Sequence, residues 1–151
     1  MGNMLSKIFD PGSIRLNLDG KTKEMVIADL IDAIAALHPQ CGSEEIFAAI
    51  REREEKMSTG IGCGIAIPHA VCRGLANTAG AIGVSQNGID FGALDGNPVH
   101  VVFLLALNDS TRENHLRVLN AISGLAQSEV IEMIKNAKNA QDIHAILSKA
   151  K

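Results

Sequence analysis

Apolar positions across residues 22–37 recur at helical spacing, with Val26, Leu30, Ile31, Ile34 and Leu37 forming one stripe. Thr22 is placed to cap that helix, and His38-Pro39 to stop it. Ser43, followed by Glu44 and Glu45, starts a second helix whose apolar face is Ile46, Phe47 and Ile50, with a charged stretch from Arg51 to Lys56 beyond. The texture then changes. Ser58-Thr59-Gly60-Ile61-Gly62-Cys63-Gly64 is too rich in glycine for a helix and reads as a flexible loop feeding a short strand, Ile65-Ala66-Ile67-Pro68. Further strands are expected at 81–85, 89–91 and 99–107, with turns at Asn87-Gly88 and Asp95-Gly96. Helical spacing returns in the last third: Leu116, Leu119, Ile122 and Leu125 form a stripe, Ser128 is placed to cap a segment carrying Ile131 and Ile134, and 143–147 suggests a final turn. This order predicts an α/β fold, a three-layer α/β/α sandwich in which a small mixed sheet is flanked by helices.

Length and composition narrow the class. A chain of 151 residues with 46% hydrophobic content fills one ordinary core, so residues 1–151 are expected to form a single domain. A formal charge of −3 without any Lys/Arg block argues against a nucleic-acid partner, and the absence of Trp and Tyr, with four Phe, removes the platforms on which single-stranded bases stack. Residues 1–10 offer no apolar core of the length a secretory signal needs. The longest dense apolar run, 99–107, is far short of the roughly 20 residues that span a bilayer, so no membrane insertion is expected. Cys41, Cys63 and Cys72, odd in number and without CxxC spacing, suit reduced thiols and a cytoplasmic setting.

Candidate chemistry concentrates in Gly62-Cys63-Gly64-Ile65-Ala66-Ile67-Pro68-His69. A proline fixes its own φ and biases its predecessor toward extended geometry, so His69 is presented from a stiffened strand end. From spacing and composition alone, His69 reads first as a hydrogen-bonded structural histidine. By the same standard Arg53 is one charge on a solvated helix face and His115 a surface residue ahead of an amphipathic stripe. His38, His100 and His144 are assigned to local structure. A metal or thiol centre from Cys63, His69 and Cys72 has the spacing C-x5-H-x2-C, which lacks the close pairs of zinc sites. The glycine run satisfies neither GxGxxG nor a P-loop.

Taken together, Arg53-Glu54, Ser58-Thr59-Gly60-Ile61-Gly62, Gly64-Ile65-Ala66-Ile67-Pro68-His69 and His115-Leu116 resemble the fructose/mannitol-type enzyme IIA domains of the bacterial sugar phosphotransferase system, especially the nitrogen-regulatory branch. Ile89-Asp90-Phe91, Leu94-Asp95-Gly96 and the run from Val99 to Leu105 extend the likeness over nearly the whole chain. The resemblance implies a phosphocarrier whose His69 is phosphorylated on Nε2 by the histidine-containing phosphocarrier protein, itself charged by enzyme I from phosphoenolpyruvate. It also implies two neighbours for the phosphoryl group: Arg53, sixteen positions upstream of His69 as in the family, and His115. Arg51 is off that register. The acceptor implied is an enzyme IIB or a regulatory target protein, and no cofactor or metal is required. An interaction module switched by His69 phosphorylation, with no sugar downstream, is the alternative use of the same first step. In either use His69 is expected in a shallow, partner-accessible depression ringed by apolar residues near Ile61, Ile65 and the glycines.

Overall fold

The computed structural model describes residues 4–18, 22–40, 42–126 and 129–149. Its centre is β6 (Val99–Leu107), nine residues of nearly unbroken aliphatic and aromatic character that are buried on both faces apart from half-buried His100. A strand covered on both sides reads as a continuous apolar run instead of an alternating one, which is why its limits are visible in the sequence. Val102, Leu104 and Ala106 point into one core with Leu30, Ile34 and Ile50. Val101, Phe103 and Leu105 point into the other with Phe9, Ile82, Ile122 and Ile143.

The helices sort accordingly. α2 (Lys23–Leu37) and α3 (Ser43–Lys56) supply the first core. The second is supplied by α1 (Met4–Ile8), α4 (Arg112–Leu125), α5 (Val130–Lys135) and α6 (Ala140–Lys149). Between them lies a six-stranded sheet, in the order β1 (Ile14–Arg15), β5 (Ala79–Ile89), β6, β3 (Ile65–Ala66), β2 (Gly60–Gly62), with β4 (His69–Val71) also paired to β6. β5 is antiparallel to β6 and β2 to β3, while β1 runs parallel to β5, and β3 and β4 run parallel to β6, so the sheet is mixed as expected. Thr22 caps α2, its hydroxyl accepting from the Met25 N–H at 3.2 Å, and the helix ends at Leu37. The proposed cap at Ser128 lies outside the described residues.

Three expectations are corrected. Asn87-Gly88 does not turn the chain between two strands; it sits inside β5, where the register with β6 shifts between Val84 and Ile89. Gly88, at φ +85° and with its N–H on Ser85 Oγ, absorbs the irregularity as a bulge. Residues 58–64 are not a loose loop: β2 and β3 form a tight antiparallel hairpin in which Gly62, Cys63 and Gly64 all have positive φ. The last helix is ten residues long, well beyond the turn expected at 143–147.

One buried carboxylate ties these pieces together. Glu54, on α3 and 8% exposed, accepts from the Thr59 N–H at 3.1 and 3.2 Å, takes the Thr59 hydroxyl on Oε1, and pairs with Lys23 Nζ at 2.6 Å. Lys23 in turn lies 5.3 Å over the Phe91 ring. Thus the start of α2, the end of α3, the approach to β2 and the segment after β5 meet on one charge. Breaking a buried pair strands the remaining partner, so Glu54→Gln is expected to lower the unfolding free energy by about 3 kcal/mol, against about 0.5 kcal/mol for Glu55→Gln at the exposed neighbouring position. Urea denaturation of the two variants measures the difference.

Candidate functional site

β3 and β4 are one strand in register terms. Ile65 pairs with Val101 and Ala66 with Val102, and past the interruption His69 pairs with Leu105 and Ala70 with Ala106. The offset does not change. Pro68 interrupts the ladder because it has no N–H to give, while its carbonyl still accepts from the Leu105 N–H at 2.9 Å. On the outer side the Ile67 N–H reaches the Thr59 carbonyl at 3.0 Å, closing the link to β2. His69 therefore opens a three-residue strand paired only to β6 among the described strands, at a sheet edge between α3 and α4.

The His69 ring is held by its own backbone. Nδ1 lies 2.8 Å from the Ile67 carbonyl oxygen, which can only accept, so Nδ1 carries the proton. In the neutral ring the lone pair is then on Nε2. Partial burial lowers the His69 pKa below the usual histidine value, and the charges of Arg53 and His115 add to that; the Ile67 carbonyl and the Glu54 charge oppose it. The balance favours the neutral imidazole, the form that can act as a nucleophile.

Arg53 and His115 line the same open depression of about 490 Å3 as His69, with Ala49, Val71, Leu107 and Leu116 among its apolar walls. Arg53 is in the last turn of α3, and its Nη1 donates to the Met57 carbonyl at 2.7 Å, which steadies the guanidinium. Arg51 points elsewhere, pairing with Glu55 at 3.5 Å on the exposed face. His115 is the fourth residue of α4, whose start is capped by the Thr111 hydroxyl accepting from the Asn114 N–H at 3.1 Å. Its Nε2–H donates to the Asn108 carbonyl at 2.8 Å, leaving Nδ1 as the unprotonated nitrogen of the neutral ring.

The apolar rim expected at Ile61 and Ile65 is not where the depression lies. Ile65 is fully buried in the core on the α4 side, because side chains alternate along the strand, and Ile61 sits on the β2 hairpin. Cys63 is exposed at that hairpin's tip and Cys72 is buried beyond β4; among the described residues no three His, Cys, Asp or Glu side chains converge as a metal site. His38 ends α2, His100 bonds the Ser85 carbonyl and His144 the Ser6 carbonyl, all away from His69.

Sequence reasoning missed Arg112, a further cation of the depression, although its i, i+3 relation to His115 was readable. It also missed the Asn108 carbonyl, which no sequence signal marks.

Residues 7–150 match the family described as phosphoenolpyruvate-dependent sugar phosphotransferase system, EIIA 2. The chain belongs to that enzyme IIA family. It is 35% identical over 143 residues to the fructose-specific EIIABC component of Bacillus subtilis, covering 95% of this chain but 22% of that protein. It is 32% identical over 144 residues to the nitrogen regulatory protein of Pseudomonas aeruginosa, covering 95% of this chain and 94% of that one. The crystal structure of nitrogen regulatory protein IIA-Ntr from Neisseria meningitidis superposes with a TM-score of 0.88 at 26% identity, covering 96% of this chain and 99% of that one. A complex of enzyme IIAMtl with phosphorylated enzyme IIBMtl from Escherichia coli shares the fold, with a TM-score of 0.76 at 20% identity over 92% of this chain and 97% of that one. This enzyme IIA is thus a phosphotransferase-system component with a phosphocarrier or regulatory role. No helix among the described residues is long and apolar enough to cross a membrane.

The depressed His69 pKa sets a pH dependence. Between the unfolded value and the lower folded one, the unfolded chain binds a proton that the native site refuses. The stability His69 contributes is therefore complete above about pH 6.5 and is lost as pH falls through the folded pKa. NMR titration of the imidazole is expected to place the His69 midpoint below that of His69 in the urea-unfolded chain. In Arg53→Ala the midpoint should rise, since a lowering charge has been removed.

Proposed function

We propose that this enzyme IIA accepts a phosphoryl group on Nε2 of His69 from the histidine-containing phosphocarrier protein and hands it to an enzyme IIB or uses it as a regulatory signal. The observation that carries the reading is the convergence of His69, Arg53 and His115 in one open depression, with the His69 tautomer pinned at Ile67. The Nε2 lone pair attacks phosphorus in line. An N–P bond forms as the donor's own P–N bond breaks, and that electron pair returns to the donor's ring nitrogen. Onward transfer is the same exchange in reverse, so one imidazole serves as acceptor and leaving group.

The charge on the three equatorial oxygens needs fixed donors. Arg53 offers planar N–H groups that cannot be neutralised by proton loss. His115, its ring fixed through Nε2, lines the same depression as a second polar group beside the phosphoryl position. No step needs a deep cavity, and an edge site lets donor and acceptor proteins approach in line.

A regulatory use of the same group is favoured by the superposition on IIA-Ntr, which is tighter than that on the crystal structure of IIA mannitol, with TM-scores of 0.88 and 0.73. The cytoplasm, where phosphoenolpyruvate is made, is the corresponding location.

Incubation with phosphoenolpyruvate, enzyme I and the phosphocarrier protein is expected to add about 80 Da, lost on acid treatment, as read by intact mass. His69→Ala removes the gain; His38→Ala, His100→Ala and His144→Ala keep it. An adduct that persists in His69→Ala would overturn the assignment. Stopped-time phosphorylation assays should show Arg53→Ala slowed about a hundredfold and Arg51→Ala nearly unchanged.

A further inference from the structure

A second cavity among the described residues is larger than the depression that holds His69. It lies behind it, a cleft of about 660 Å3 between α1, the turn before β5, the end of β6 and α4. Two cations, Lys7 and Arg117, face this cleft, and among the described residues none that lines it is a carboxylate. Among the described residues neither cation has an acidic partner within ion-pair distance, in a chain whose net charge is −3. Unpaired cations with no competing acid attract a multiply charged anion, since a guanidinium and an ammonium together match a phosphate better than either does alone.

The rest of the wall is suited to a hydroxylated body. Asn77, Thr78 and Asn114 bring amide and hydroxyl groups that both donate and accept, while Ile8 and Val118 give an apolar floor. The volume falls within the range of ordinary small-molecule sites. We infer that this cleft binds a small phosphorylated polyol, of the size of a hexose monophosphate, with its phosphate on Lys7 and Arg117.

The cleft reaches the phosphoryl site through one residue. His115 lines both cavities, and its ring is fixed by the Asn108 carbonyl. Asn108 is itself held from the cleft side: its Oδ1 accepts from the Thr78 hydroxyl at 3.0 Å, its N–H donates to Thr78 Oγ1 at 3.1 Å, and its Nδ2 donates to the Ala76 carbonyl at 3.1 Å. A ligand competing for Thr78 disturbs this clamp and so the orientation of His115. The bound polyol phosphate therefore communicates with the depression without entering it.

The test is a titration of the unphosphorylated protein with fructose 1-phosphate, followed by calorimetry and by the imidazole resonances of His115. Saturable binding below about 10 mM is expected, with the His115 signals moving along the same isotherm. The Lys7→Gln/Arg117→Gln double variant, altered only at exposed side chains, should bind on the order of tenfold or more weakly. Arg53→Ala should bind as the parent does, which separates this cleft from the His69 depression. Neutral fructose should not bind. The inference is overturned if no saturation is seen, if the double variant retains full affinity, if Arg53→Ala loses it, or if inorganic phosphate or fructose binds as tightly as the ester. Absence of any His115 response overturns the coupling. None of these outcomes depends on phosphoryl transfer, so the proposed His69 chemistry stands or falls separately.

Discussion

The constant register between β6 and the broken strand β3–β4 is the constraint on which the rest of this structure depends. β6 is anchored on both faces by two separate cores, so its position is not negotiable. The chain running beside it must keep pace residue for residue, even across a proline that surrenders one rung of the ladder. What the proline takes away in pairing it returns as stiffness, and the residue after it emerges at a fixed height along the sheet. A slip of one position would send His69 to the α3 side and Ala70 to the other, because alternate side chains face opposite layers.

That constraint makes the site a meeting of three independently secured parts. β4 brings His69 from the sheet. α3 brings Arg53, whose helix end is tethered by the neighbouring Glu54 to Thr59 and Lys23. α4 brings His115 from the opposite layer, with Asn108 setting its ring. Each side chain is fixed by a carbonyl close in sequence, Met57, Ile67 or Asn108, so the geometry needs no bound group to assemble it. Preorganisation of this sort spares reorganisation when charge arrives.

How much of this the sequence displays varies with what controls each part. α2 and β6 are legible because burial on one stripe, or on two faces, writes itself directly into residue choice. The β2–β3 hairpin is not: its glycines announce broken regularity, whereas their pairing depends on Thr59, Ile67 and β6, all fixed elsewhere in the fold. Asn87-Gly88 misleads for a related reason, since the dipeptide that favours a hairpin turn also suits a bulge when a partner strand continues alongside. At the site, Pro68-His69 stands out locally. Arg53 stands out only by its family spacing, and Glu54 is hidden within a run of charges whose other members, half-buried Arg53 apart, are exposed. The resemblance identified the family correctly while local reasoning put the apolar rim on the hairpin, whereas the walls beside His69 come from α3, β4, β6 and α4.

The open edge of β4 has a cost that belongs to folding in a crowded solution. A sheet edge is where stray strands attach and chains begin to aggregate. Here the exposed run is three residues long, it starts just after a proline that cannot donate, and the positive charges of Arg53, Lys56 and Arg112 line the depression beside it. The features that hold His69 at the open depression thus also keep the same edge from capturing a further strand, and a change that relaxed Pro68 would expose the chain to self-association.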